Sequence, residues 1–126
     1  MTTKDWAQVA PPARGAGELE WWATRQWTGG VELGGLDGLE CFAVRTRNTT
    51  YEITVLSPGS GDVLVRGGRF FPVRTRVRLA GSSLGGSFLK QRAIYPGFSM
   101  EFQCGRESIV TTAVESIVTL AQTRVA

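Results

Sequence analysis

The stretch RGGRFFPVRTRVR, residues 66–78, holds five arginines, and from Arg74 onward they occupy every second position. Alternate side chains of a β-strand point to the same face, with Cα atoms ~6.6–6.8 Å apart. That step is comparable to the spacing of phosphates along a single nucleic-acid strand. Two further arginines, also two residues apart, lie upstream at Arg45 and Arg47. We therefore predict a polyanion-binding face that becomes one patch if the two strands are neighbours, made of Arg45, Arg47, Arg74, Arg76 and Arg78.

The charge distribution favours the same region. The chain carries +3 overall, but residues 45–92 alone carry +7 and the remainder carries −4. A basic middle between acidic ends can attract an anionic partner, or it can pair with the acidic ends of a neighbouring copy. Single-strand nucleic-acid modules also stack bases on aromatic side chains. Phe70, Phe71 and Tyr95 are the candidates here, although the two phenylalanines suit a core or a strand corner before Pro72.

Two serine motifs could suggest catalysis, and neither has its required context. GSSLG, residues 81–85, matches G-x-S-x-G, but that motif needs a histidine and the chain has none. SFLK, residues 87–90, matches S-x-x-K without its companion motifs. The glycines around both motifs predict a loop. We assign no catalytic residue and do not favour an enzyme, with a Ser87–Lys90 dyad as the remaining catalytic alternative.

Metal and redox chemistry are poorly supported by the sequence. Cys41 and Cys104 are 63 positions apart with no histidine to complete a zinc site. The carboxylates are scattered, and no calcium loop is present. We therefore predict no metal and no cofactor. Both cysteines lie in alternating apolar stretches, which indicates buried structural residues, and the sequence leaves open whether they pair.

Alternating apolar and polar residues begin at about residue 39 and predict β-strands. Clear examples are LECFAVRTRN, TTYEITVLS, DVLVR, PVRTRVRLA and FSMEFQC. SPGSGD predicts a hairpin turn, and Gly67-Gly68 predicts a bulge or tight bend. The sequence thus predicts an all-β fold, a small antiparallel barrel or roll of five to seven strands.

The C-terminal stretch ESIVTTAVESIVTLAQ fits two patterns. Its apolar residues match a helical stripe. Its Ile, Val and Thr content instead favours one bent strand or two short ones. We predict the strand form and keep the helix as the alternative.

An N-terminal arm with a Trp-rich docking segment, residues 1–38, precedes the β domain, residues 39–126. Three indoles need a dry surface, so we predict self-association through Trp21, Trp22 and Trp27. No apolar run reaches the ~20 residues of a membrane span, and the first residues do not resemble a signal peptide. We therefore expect a cytoplasmic protein with no membrane partner.

The runs VRTRNTTYEI, VLVRGGRFFP and GSSLGGSFLK resemble a group of small uncharacterised bacterial all-β proteins, over residues 41–105. No activity is attached to that group, so the resemblance implies no function. It implies that residues 41–105 are the folded core and that residues 1–38 are an appendage.

The function that the sequence favours is a non-enzymatic β-domain that binds or assembles, as a homo-oligomer. The alternative is a module that binds nucleic acid or another polyanion through its arginine-rich strand face. No small-molecule substrate is predicted.

Overall fold

Strands make up nearly all of the regular structure in the computed structural model, which describes residues 29–84 and 87–120. One 3-10 turn, Leu33–Gly35, is the only helical segment in that part of the chain. The strands are β1 (Val31–Glu32), β2 (Cys41–Thr46), β3 (Thr50–Ser57), β4 (Asp62–Gly67), β5 (Phe71–Leu84), β6 (Ser87–Gln91), β7 (Ala93–Ile94), β8 (Ser99–Cys104) and β9 (Glu107–Thr119).

Six of these strands close into an antiparallel barrel. Its order is β2-β3-β4-β5-β8-β9, and β9 returns to pair with β2. β6 is added to β5 as an extra strand, and β1 pairs with β7 in a separate two-stranded ladder. Closure removes most sheet edges, which is the usual solution for an all-β domain of this size. The prediction of a small antiparallel barrel is confirmed.

The long strand β5 has different neighbours at its two ends. Its first half pairs with β4, down to the pair Phe71–Gly67. Its second half pairs with β8 from Arg78 onward and also with β6 from Gly81 onward. A register shift between Leu79 and Gly81 marks the change of partner. β9 also has two partners, since its first half pairs with β8 and its second half pairs with β2.

The barrel interior is filled by the apolar side of the alternating pattern. Phe71 packs edge-to-face on Phe102, with ring centroids 5.4 Å apart, and on Tyr51, at 6.5 Å. Aromatic pairs prefer this geometry, and these three rings join strands β3, β5 and β8. The other buried members of this core are Leu33, Phe42, Val44, Ile53, Val55, Val63, Val65, Val77, Leu79, Ile94, Met100 and Val114.

Most local predictions are confirmed. The turn after Ser57 joins β3 to β4 as a hairpin, and Gly67 and Gly68 adopt φ of +151° and +60° beside a register shift. The C-terminal stretch is one strand, β9, with a register shift opposite Arg45 and Thr46. The two-partner role of β9 explains its length, because it must span the seam that closes the barrel.

The prediction of a loop over GSSLGGS is wrong. β5 continues to Leu84, and β6 begins at Ser87. Glycine and serine here allow close packing of backbones, because a Cβ on Gly81 would lie 2.0 Å from the Lys90 carbonyl oxygen. The small residues at positions 81–84 therefore belong to a strand whose backbone lies close to its neighbours β6 and β8.

Part of the predicted appendage packs on the barrel. Leu33 is fully buried in the core, and its backbone N–H donates to the Arg92 carbonyl oxygen at 2.9 Å. Residues 31–36 therefore cover the barrel beside β7. Trp21, Trp22 and Trp27 lie outside the described residues, so their predicted role stays a prediction.

Candidate functional site

Arg74, Arg76 and Arg78 lie on the outer face of β5, where all three are exposed. Val77 and Leu79, which alternate with them, are buried. The two-residue period of the sequence therefore places the three guanidinium groups on one side of the strand, as predicted. This row of three is the arginine ladder.

Acidic residues from neighbouring strands partly neutralise the arginine ladder. The Glu52 carboxylate on β3 accepts from Arg74 at 3.1 Å and from Arg66 at 3.5 Å. Asp62 on β4 accepts from Arg76 at 3.1 Å. The arginine side chains are largely exposed and the carboxylates are partly exposed, so each pair contributes little stability. Their effect is electrostatic, because two of the three ladder arginines already have an internal counter-ion.

Arg45 and Arg47 do not join the ladder. Arg45 is on β2, Arg47 follows that strand, and both are exposed. β3 and β4 lie between β2 and β5 in the barrel. At ~4.8 Å per strand, three steps separate the two groups by about 14 Å. The five predicted arginines therefore form two separate groups, because the condition that their strands be neighbours is not met.

One side of β5 carries no partner strand from Phe71 to Val77 among residues 29–84 and 87–120. β4 covers the other side, and β8 begins to pair only at Arg78. Val73, on this segment, is 68% exposed, and Phe70, in the turn before it, is 50% exposed. We call this segment with Phe70 the open edge. Unpaired backbone groups beside exposed apolar side chains are a template for pairing with another chain.

Of the three aromatic candidates for base stacking, only Phe70 is exposed. Phe71 and Tyr95 are buried, at 1% and 5% exposure, so neither ring face is open to a base. Phe70 is exposed, but it belongs to the β4–β5 turn and not to the arginine row itself. The ladder therefore lacks the row of stacking platforms that single-strand binders use.

A polar cluster connects β1, β6 and the residue after β7. The Tyr95 hydroxyl donates to the Glu32 carboxylate, which also pairs with Lys90 at 3.7 Å. Burial and the adjacent Glu32 raise the pKa of Tyr95 to about 12. The hydrogen bond from Tyr95 lowers the pKa of Glu32, burial opposes this shift, and the nearby Lys90 lowers the pKa further. Neutral tyrosine and ionised carboxylate are therefore the stable forms of this pair, which suits a structural bridge.

The serine motifs occupy structural positions. Ser82 is fully buried, donates to the Ala93 carbonyl oxygen at 2.9 Å and accepts from the Tyr95 N–H at 3.0 Å. Ser83 is buried within β5, not on a strand-to-helix turn. The side chain of Ser87 lies outside what the structure describes. Its proposed partner Lys90 pairs with Glu32, and an ion-paired ammonium is a poor general base.

The cysteines are free thiols. Cys41 is buried and accepts from the Thr54 hydroxyl at 3.5 Å, and Cys104 is half-buried against the core. Within residues 29–84 and 87–120, no group of three potential metal ligands comes together. That same part of the chain contains no helix with the length and apolar character needed to cross a membrane.

Comparison with family models, with curated proteins and with solved structures finds no match to this chain. The geometry described above is therefore the basis for any functional conclusion.

Proposed function

We propose that this protein is a non-enzymatic β-barrel module that self-associates by pairing the open edge of β5 with that of a second copy. The observation that carries the proposal is the segment Phe71–Val77, which has β4 on one side and no described strand on the other. An antiparallel pair of such edges has two-fold symmetry, the commonest symmetry of homo-oligomers. Main-chain hydrogen bonds would then extend the sheet across both copies.

Exposed apolar side chains give this edge a reason to pair. Val73 and Val118 are the most exposed large apolar residues of the described chain, and Phe70 follows. Two of these three residues lie at the open edge, on and beside the same strand. Burying them against a second copy removes apolar surface from water at roughly 25 cal/mol per Å².

The internal ion pairs also favour self-association. Charged residues usually protect an edge strand from pairing. Here Arg74 and Arg76 bond to Glu52 and Asp62 of their own chain. Two copies can therefore approach with little repulsion between their ladders. The tryptophans Trp21, Trp22 and Trp27 are proposed as further anchors, on the sequence argument that three indoles need a dry surface.

Changing Val73 to lysine is expected to weaken self-association. The substitution places an unpaired charge on the proposed contact, and we expect the dissociation constant to rise at least about tenfold, or ~1.4 kcal/mol. Sedimentation equilibrium over a wide concentration range measures this constant. Val118→Lys is the matched control, because Val118 is a similarly exposed valine on β9, where β2 pairs with it.

The proposal fails if the wild-type protein is monomeric at every concentration. It also fails if Val73→Lys and Val118→Lys have the same effect. Replacing Trp21, Trp22 and Trp27 by serine separates the two proposed contacts, because an unchanged mass in that variant assigns association to the open edge alone.

Polyanion binding by the ladder is the second candidate function, and the shared face of Arg74, Arg76 and Arg78 favours it. The internal pairs of Arg74 and Arg76 must open for phosphates to replace their carboxylates, so we expect weak binding that falls steeply with salt. A salt titration with a labelled single-stranded oligonucleotide tests it. Absence of binding at low salt contradicts this candidate and leaves self-association unaffected.

A further inference from the structure

A small groove lies where the β3–β4 turn, β5 and β6 meet. Its volume is about 80 Å³, and it is lined by Ser60, Arg78, Leu79, Ala80, Leu89, Gln91 and Arg92. Two of these residues are arginines from different elements, and two others carry an amide and a hydroxyl. The groove is too small for a drug-sized ligand, since such pockets usually enclose 300–1,000 Å³. It suits one small polar group.

Gly61 brings the two arginines side by side. A Cβ built on Gly61 would lie 3.3 Å from Cγ of Arg92 and 3.5 Å from Cγ of Arg78. Both side chains therefore pass over the same glycine. Gly61 has φ +84°, a conformation that side-chain-bearing residues rarely adopt. Position 61 thus needs glycine for its backbone conformation, and the absence of a side chain there leaves the space that both arginine side chains occupy.

Neither arginine of this pair has a carboxylate partner among the described residues. Asp62 is opposite Arg78 in the β4–β5 register, yet its carboxylate accepts from Arg76 at 3.1 Å. Like charges held close together repel, and the repulsion is relieved when an anion lies between them. The third ladder arginine therefore differs from Arg74 and Arg76, because no carboxylate of the described residues forms an ion pair with it.

The backbone of Arg92 is held in an unusual conformation. Its φ is +48°, in the left-handed region. Two backbone hydrogen bonds fix it there, one from its N–H to the Ala80 carbonyl oxygen and one from the Leu33 N–H to its own carbonyl oxygen, both 2.9 Å. Strained residues that their surroundings hold in place cluster at binding sites. Here the fixed backbone places Cγ of Arg92 over Gly61, in the groove that Arg78 also lines.

We propose that Arg78 and Arg92 form a binding site for one phosphate group, with the Gln91 amide as a further donor. Two guanidinium groups supply about the charge of a phosphate monoester, −1.5 to −2 at neutral pH. Donors from three elements match a tetrahedral oxyanion better than a planar carboxylate, which one arginine fork can satisfy alone. The site does not rest on the proposed self-association.

Titration with inorganic phosphate, followed by two-dimensional ¹H–¹⁵N NMR, tests the site directly. We expect saturable shifts of the Gly61 and Gln91 signals, with a dissociation constant of about 1 mM because exposed charge pairs are individually weak. Potassium chloride at the same ionic strength is the control. Shifts that chloride reproduces, or shifts that do not saturate, overturn the proposal.

Substitutions locate the site. Arg78→Gln and Arg92→Gln are each expected to weaken phosphate binding about tenfold, and the double variant is expected to abolish it. Arg45→Gln is the matched control, since Arg45 is an exposed arginine on β2, outside the groove. All three substituted positions are exposed, and the same spectra report whether each variant is folded. Equal affinity in the wild type and the double variant contradicts the assignment.

A short single-stranded oligonucleotide distinguishes the source of the phosphate. If it displaces inorganic phosphate and shifts the same two signals, the bound phosphate is part of a nucleic-acid chain. The site then continues the polyanion-binding surface of the arginine ladder. If inorganic phosphate binds and the oligonucleotide does not compete, the ligand is a small anion. Failure of both to bind overturns the site. The Val73→Lys variant should bind phosphate normally, so the two proposals fail independently.

Discussion

Replacing Gly81 by alanine should lower the free energy of unfolding by about 3 kcal/mol or more, from overpacking and backbone strain together. The new Cβ would lie 2.0 Å from the Lys90 carbonyl oxygen and 2.8 Å from the Lys90 carbonyl carbon. Both are backbone atoms of β6, so no side-chain rotation can relieve the clash. Gly81 also has φ +150°. Urea unfolding followed by far-ultraviolet circular dichroism gives the free energy.

Gly35→Ala is the control for Gly81→Ala. No atom lies within 4 Å of a Cβ built on Gly35, so its free energy of unfolding should change by less than about 0.5 kcal/mol. Equal stability of the two variants would mean that β6 moves away from β5 at little cost. That result would contradict the close three-strand packing described for residues 81–84.

The second large effect is expected for Phe102→Ala, with a loss of about 3–5 kcal/mol. Phe102 is fully buried, and its ring packs edge-to-face on Phe71. Truncation removes apolar contacts of β8 with the interior and leaves a cavity between strands that surrounding residues cannot fill without moving. Thermal and urea unfolding at low protein concentration should both report the loss.

Phe70→Ala provides the comparison, because Phe70 is half exposed in a turn. Its truncation should cost less than about 1 kcal/mol. A loss as large as that of Phe102→Ala would mean that Phe70 is covered in solution. Low protein concentration disfavours self-association, so a second copy covering Phe70 cannot be the cause of such a loss.

The alternating pattern predicted the barrel strands because a closed antiparallel sheet has one dry face and one wet face. Phe42, Val44 and Ile53 are buried as this reasoning requires. The same alternation in PVRTRVRLA puts Val73 on one face with Val77, but Val73 is largely exposed. The difference arises because that end of β5 pairs only with β4 and has no described strand on its other side, and strand periodicity carries no information about neighbours.

The surroundings of the arginines could not be predicted from spacing alone. Alternation correctly placed Arg74, Arg76 and Arg78 on one face, which is a local property of a strand. Their counter-ions depend on cross-strand register, and their distance to Arg45 depends on the order of the strands in the barrel. Arg92 was not selected as a site residue, because it lies in a turn after β6 where the local pattern breaks. Only the fold brings it over Gly61 beside Arg78.

The closure of the barrel by β2 and β9 has a consequence for how the chain reaches its native state. Phe42 pairs with Thr119, so the last seam of the ring joins segments at opposite ends of the described sequence. Forming such a long-range contact costs loop-closure entropy before the contact itself stabilises the chain. Topologies dominated by long-range strand pairing therefore fold slowly. During synthesis on the ribosome, the hairpins can form early, but the ring cannot shut until β9 has emerged from the exit tunnel. Until then, nascent chains expose the edge of β2 that β9 will cover, and this interval is when aggregation is most expected.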